Sequence, residues 1–275
     1  MNVLRVCVVC LVVVLVVGGE VSAADPPKPK DGPLGMKFVP LKKGTTYLGW
    51  DGTKGSAKKT EIPEDFEIAI YTVTQGQWTE LMGKNPSYFS RDGGGKDWVK
   101  DIKDEDLKLF PVERVSWDDC QEFVKKLNEK EKGKGYVYRL PTEQEWEYAC
   151  RGGATTEEEC SFHFYFDKPT NDISSKQANF NGDYPFGKGE KGPYLERTTK
   201  VGSYPPNKLG VYDMHGNVWQ WTSTADASHR VLRGGSWRGG SGDCRAARRD
   251  ARAPSDRDRH LGLRLARVPS APAGK

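Results

Sequence analysis

A chain of 275 residues that is 36% hydrophobic and holds eight Trp has the make-up of a globular protein, with length for one large domain or two small ones. A formal net charge of +4 is too mild to support nucleic-acid binding through a basic surface. The charge is local: Arg230 to Arg267 holds eleven Arg against four Asp. That stretch reads either as an anion-binding face or as guanidiniums buried by aromatic stacking and carboxylate pairing, and its interleaved Gly, Ala and Asp favour the second.

In chain order, Arg5 precedes an apolar run from Val6 to Val17, followed by small residues up to Ala24. This is the pattern of a secretory signal peptide over residues 1–24, cleaved after Ala23 or Ala24, so the mature protein is expected in the periplasm or outside the cell. The run is too short to span a bilayer, and no membrane span is expected after cleavage. Residues 25–34 are Pro- and Lys-rich and read as a solvated spacer, residues 35–267 as one folded domain, and residues 268–275 as a disordered tail.

Within the domain, Met36 to Leu41 and Thr45 to Gly49 predict a short hairpin, and Phe66, Ile68 and Ile70 alternate as in a half-buried strand. Thr74 predicts the cap of a helix from Gln75 to Met82 that Gly83 ends. Asp92 to Lys108 reads as a surface insertion and Pro111 to Val115 as a strand leading into Ser116. Ser116 with Asp119, and Thr142 with Glu145, then start two helices with one apolar stripe each. From Cys160 to Tyr204 Gly, Pro, Asn and Asp dominate without periodicity, a long irregular segment held by side chains.

The last fifty residues carry the most specific signal. Gly216-Asn217-Val218-Trp219-Gln220-Trp221, Arg230-Val231-Leu232-Arg233-Gly234-Gly235-Ser236-Trp237 and Leu261-Gly262-Leu263-Arg264 follow in order. These resemble the GN-x-W-E-W turn, the R-V-x-R-GGS-[WY] strand and the final LGFR strand of the formylglycine-generating enzyme family, the sulfatase-modifying factors. Val73 to Phe89, the Ser116 helix and the Thr142 helix match further signatures, so the resemblance covers about Gly35 to Arg267. It implies an α+β fold, irregular and loop-rich, with a C-type-lectin-like core.

The resemblance also implies chemistry. The family's turn binds calcium through side-chain and carbonyl oxygens, and the matching positions are Asp213, Gly216, Val218 and Gln220, with Gln in place of a Glu. A second family calcium site begins at an Ala-Asn pair, here Ala178-Asn179, but Pro193 stands where its acidic ligand belongs. The family's oxidases hold Cu(I) on two cysteines between the GGS strand and the Arg-rich strand. Here that interval, Trp237 to Asp243, contains no cysteine, so copper is not expected and no catalytic residue is assigned.

Two of six cysteines fall in the signal segment, leaving Cys120, Cys150, Cys160 and Cys244, an even number that in an exported protein suggests disulfides in one of three connectivities. The resemblance implies a Cys150–Cys244 bridge, with Cys120 and Cys160 left over. Three functions are consistent with this reading: an exported, non-catalytic module binding a protein or carbohydrate ligand, a genuine formylglycine-generating oxidase, and a structural envelope-assembly domain. The candidate groove lies along Arg238 to Ser241 beside Trp219, Trp221 and Trp237.

Overall fold

The computed structural model describes residues 27–270, and the signal-peptide reading of residues 1–24 lies outside them. Its largest sheet has five strands in the order β1 (Lys30–Asp31), β2 (Lys37–Leu41), β5 (Phe66–Ala69), β13 (Ala266–Pro269) and β6 (Tyr136–Arg139). A two-stranded sheet joins β3 (Gly44–Leu48) to β4 (Lys58–Ile62), and a second joins β7 (Phe164–Tyr165) to β8 (Pro169–Thr170). The fourth sheet runs β11 (Arg249–Arg252), β10 (His229–Arg233), β9 (Trp219–Asp226), β12 (Leu261–Leu263), with β9 and β12 parallel. The result is an irregular α+β fold, as expected.

Successive strand residues face opposite sides of a sheet, and both sides of the five-stranded sheet are covered. Phe38, Ala69 and Leu265 bury one face against α1 (Gln75–Met82), α3 (Trp117–Lys130), Trp219 and Trp221. Val39, Ile68 and Ala266 bury the other against Trp146, Ala149 and Cys150 of α4 (Glu143–Cys150). Double burial corrects the reading of Phe66 to Ile70 as half-buried, since all four residues of β5 are buried. Glu67 is tolerated there because Arg267 donates Nε to it at 2.7 Å, and that guanidinium lies 4.2 Å from the Phe38 ring centre and 4.0 Å from that of Tyr136.

Capping follows the sequence closely. Thr74, Ser116 and Thr142 each accept a hydrogen bond from the backbone N–H three residues on, and Gln77, Asp119 and Glu145 reach back to the cap residue. Gly83 ends α1 at φ 77°, a conformation in which glycine alone is unstrained.

Pairing departs from expectation in three places. The predicted hairpin does not form: β2 pairs with β1 and β5 while β3 pairs with β4, and the Asp65 carboxylate holds the corner between them through Lys43 N (2.9 Å) and Lys42 Nζ (2.7 Å). Pro111 to Val115 is not a strand. Arg114 turns the chain at φ 60°, leaving a single bridge between Thr74 and Pro111. The spacer is not wholly solvated either, since Lys30 joins the sheet edge and pairs with Glu67, and β13 runs to Pro269, into the stretch read as tail. The insertion from Asp92 to Lys108 folds on itself through a 3-10 turn (Lys96–Trp98) and the short α2 (Asp104–Leu107). Among the described residues no helix is long and apolar enough to cross a membrane.

Candidate functional site

Alternation along β9 decides what the Trp-rich motif does. Trp219 and Trp221 face the core beside Leu261, Leu263 and Leu232, and Trp221 donates Nε1 to the Val115 carbonyl at 2.9 Å. Gln220 points the other way into a polar knot. Its Oε1 accepts from Trp146 Nε1 (2.8 Å) and from Arg264 Nε (2.9 Å), and its Nε2 donates to the Asp213 carbonyl (2.8 Å).

In that knot the expected calcium ligands take partners within the chain. A cation held by Asp213, Gly216, Val218 and Gln220 needs their oxygens to converge. The Gln220 oxygen already receives two donors, one of them a guanidinium, and the Asp213 carboxylate accepts from Gly202 N at 2.8 Å. The donor set does not fit a calcium ion, because a second positive charge would lie against the buried Arg264. Burial raises the Asp213 carboxyl to about 6 and lowers the Arg264 guanidinium to about 10. At the other candidate turn, Asn179 donates Nδ2 to the carbonyl of Arg197 (3.0 Å) and to Asn217 Oδ1 (3.1 Å), so it too is engaged with the chain.

Behind the knot lies a buried ion cluster. Glu147 on α4 accepts through Oε1 from Arg151 Nε (2.9 Å), Arg151 Nη2 (2.6 Å) and Gly49 N (2.7 Å), while Arg233 of β10 donates Nη2 to its Oε2. Burial alone would raise this carboxyl, but the Arg233 and Arg151 charges and the Gly49 N–H outweigh it and hold it below the ordinary carboxylate range. The Arg-rich C-terminal block is thus partly core, as its interleaved sequence suggested.

The Cys150–Cys244 bridge does not form. Both thiols are free and buried, and His215 stands at Cys150: its Nε2 lies 3.7 Å from the Cys150 Sγ and accepts from Tyr165 N at 2.9 Å. Nδ1 is 2.7 Å from the Cys244 carbonyl. Burial pushes His215 down to about 4 and Cys150 up to about 12, and raises Cys244 as well, so this is a neutral imidazole beside inert thiols. Cys120 and Cys160 are also free and buried.

The turn from Trp237 to Asp243 is closed rather than open. Tyr184 packs on Gly240, and its carbonyl accepts from Ser241 N (3.1 Å) and Ser241 Oγ (2.7 Å). Of the five groove candidates, then, Trp219, Trp221 and Trp237 are core residues, Ser241 is a buried hydrogen-bond post, and Arg238 alone is exposed. The surface of this turn is an aromatic and arginine platform that the sequence reading missed. Trp237 stacks on Tyr194 (6.4 Å) and donates Nε1 to the Arg259 carbonyl, whose guanidinium lies 5.1 Å from the Tyr88 ring centre and 5.5 Å from that of Trp237. Beside it stand Arg238 and Tyr184, the latter 64% exposed. No local pattern joins Tyr88, Tyr184, Tyr194 and Arg259, which come from four separate segments.

A cavity of ≈ 820 Å³ lies elsewhere, between α1 and the insertion, with Gly76, Thr79, Asn85, Leu107 and Leu109 on its walls. None of the metal, disulfide or groove candidates named from the sequence lines it.

Known proteins place this geometry. A family model described as the sulfatase-modifying factor enzyme 1-like domain matches residues 23–269. The chain is 31% identical over 214 residues to the chaperone protein LppX of Paenibacillus barcinonensis, covering 63% of this chain and 69% of that one. It is 36% identical over 178 residues to the inactive C-alpha-formylglycine-generating enzyme 2 of Bos taurus, covering 60% of this chain and 53% of that protein, so it spans about half of that relative's length. In structure it is similar to Treponema denticola variable protein 1, with a TM-score of 0.65 at 24% identity over 87% of this chain and 99% of that one. With its turn, strand and capping signatures in place and nearly its whole length matched, the chain belongs to the sulfatase-modifying factor, or formylglycine-generating enzyme-like, family.

Proposed function

We propose that this chain is an exported, non-catalytic member of its family that binds a protein or carbohydrate ligand through the surface around Trp237 to Ser241. The observation that carries the reading is the chemistry of that turn. It offers no thiol between Trp237 and Asp243, and the nearest one, Cys244, is fully buried with its ionisation suppressed by burial. Cu(I) is held by soft, deprotonated thiolates, and an inert buried thiol supplies neither a ligand nor an exchanging sulfur. What the surface beside the turn presents is the exposed Tyr184 ring and Arg238 with the half-buried Tyr88, Tyr194 and Arg259, an aromatic and guanidinium composition found in recognition surfaces. A relative named as an inactive formylglycine-generating enzyme is in keeping with the same reading.

The test has two readouts. Purified protein mixed with Cu(I) and a peptide carrying a sulfatase cysteine motif is expected to form no aldehyde and to lose Cu(I) to a competing chelator; aldehyde formation overturns the proposal. A photo-crosslinking residue in place of Tyr184 is expected to capture one discrete partner or glycan in the native host, and capture from a control position at Lys54 alone would move the surface elsewhere.

A further inference from the structure

The turn after β3 and the segment leading into β11 enclose a cleft of ≈ 180 Å³, with Trp50 and Asp51 on one wall and Arg245, Arg248 and Arg249 on the other. The three guanidiniums are not equivalent. Arg249 is committed, giving Nε and Nη2 to Glu143 and Nη1 to Asp226. Arg248 only approaches Asp243, at 3.4 Å from its Nε. Arg245 has no carboxylate within ion-pair distance among the described residues: its Nε donates to the Gly242 carbonyl at 3.0 Å and its guanidinium lies over the Phe186 ring at 5.7 Å.

An unbroken aromatic stack fixes the two walls relative to each other. Trp50 packs on His163 (4.6 Å), His163 meets Phe186 edge-on (4.9 Å), and Phe186 carries Arg245. Burial, with the Arg245 charge nearby, lowers His163 below its ordinary value, so the stack is neutral apart from the arginine at its end. A guanidinium anchored through Nε and its flat face keeps both Nη groups for a partner, and that edge matches a planar or tetrahedral oxyanion in bidentate fashion. Asp51 is the one acid on the walls, and Thr53 N at 2.9 Å already occupies part of its carboxylate.

We propose that this cleft binds the oxyanion group of a small ligand, a carboxylate, sulfate or phosphate, with Arg245 and Arg248 as its donors. A water in the liquid takes about 30 Å³, so the cleft has room for roughly six, enough for the charged group and a short body. Asp51 limits the charge it accepts and disfavours polyanions. The proposal does not rest on the partner-binding reading.

The experiment titrates purified protein with sodium sulfate, sodium phosphate and sodium acetate, each at one ionic strength fixed with sodium chloride, following the melting temperature. At least one oxyanion is expected to raise it saturably, with an apparent dissociation constant at least tenfold weaker in both Arg245→Gln and Arg248→Gln and unchanged in Arg257→Gln, whose exposed guanidinium pairs with Asp119 and does not line the cleft. The anion that saturates identifies the ligand's charged group. If none gives a saturable rise in the wild type, or if the rise persists in Arg245→Gln and Arg248→Gln, the site is refuted; an equal loss in Arg257→Gln would reduce it to unspecific charge. Circular dichroism checks each variant's fold, and should Arg245→Gln misfold, Arg248→Gln decides alone.

Discussion

Replacing Glu147 by Gln tests whether the Arg-rich block is a structural core. The carboxylate neutralises two guanidiniums, on Arg151 and Arg233, and ties α4 to the turn after β3 and to β10. Arg151 keeps the carbonyls of Cys160 and Phe162 and the Tyr165 hydroxyl, and Arg233 keeps those of Ala246 and Ala247, so both side chains stay buried and charged when Glu147 is neutral. Removing one partner of a buried ion pair costs about 3–5 kcal/mol, because the remaining charge is neither solvated nor compensated. For a domain of this size each kcal/mol moves the melting point by about 2–4 °C, so the expected fall is about 6–20 °C. Urea unfolding of wild type and Glu147→Gln at low and high salt measures it, and the difference should survive 1 M salt because the cluster is out of reach of screening ions. Arg257→Gln, which breaks an exposed pair with Asp119, should cost no more than about 1 kcal/mol. A loss below about 1 kcal/mol for Glu147→Gln, or one that salt abolishes, would refute the cluster's structural role.

Three further outcomes follow from the same geometry. Because burial lifts Asp213 to about 6, above the roughly 3.9 of an unfolded chain, its contribution is fully present below the unfolded value and is lost as the pH rises through 6, a loss of about 3 kcal/mol. Asp213→Asn, which keeps an acceptor for Gly202 N, should therefore gain on the wild type between pH 4 and 7 in urea titrations, and millimolar calcium should shift neither melting point; a calcium-dependent rise lost in Asp213→Asn would reinstate a cation at the turn. Cys150 and Cys244 should resist alkylation in the folded protein and react fully in denaturant, and a Cys150–Cys244 peptide on mass mapping would contradict this. Gly216→Ala should abolish folding, since its methyl would lie 2.4 Å from the Asn179 carbonyl oxygen, whereas Gly210→Ala meets nothing within 4 Å and should cost only about 1–2 kcal/mol of left-handed backbone strain; similar melting points for the two would refute the steric argument.

Where a feature depends on neighbours a few residues away, the sequence was enough to read it. The helix from Gln75 to Met82, its Thr74 cap and its Gly83 stop are satisfied within one helical turn, and the other two capping boxes are equally local. Likewise the ordered signatures around Trp219, Arg233 and Leu261 specify the family, because each is a short run with a fixed backbone shape. The missing thiols between Trp237 and Asp243 were also visible as sequence, and they remain the basis of the functional proposal.

Which long-range partner each side chain takes was decided only in three dimensions. Trp221 looked like a groove residue until β9 was seen between β10 and β12, with its indole bonded to a carbonyl 106 residues away. Gln220 looked like a metal ligand until Trp146 and Arg264 reached its oxygen, and Cys150 like a disulfide partner until His215 stood against its sulfur. The platform of Tyr88, Tyr194 and Arg259 and the cleft of Trp50, Arg245 and Arg248 have no motif at all. The physical reason is that composition and spacing fix which groups must be satisfied, while sheet order and close packing in a loop-rich fold fix which of several chemically equivalent partners is near enough to satisfy them.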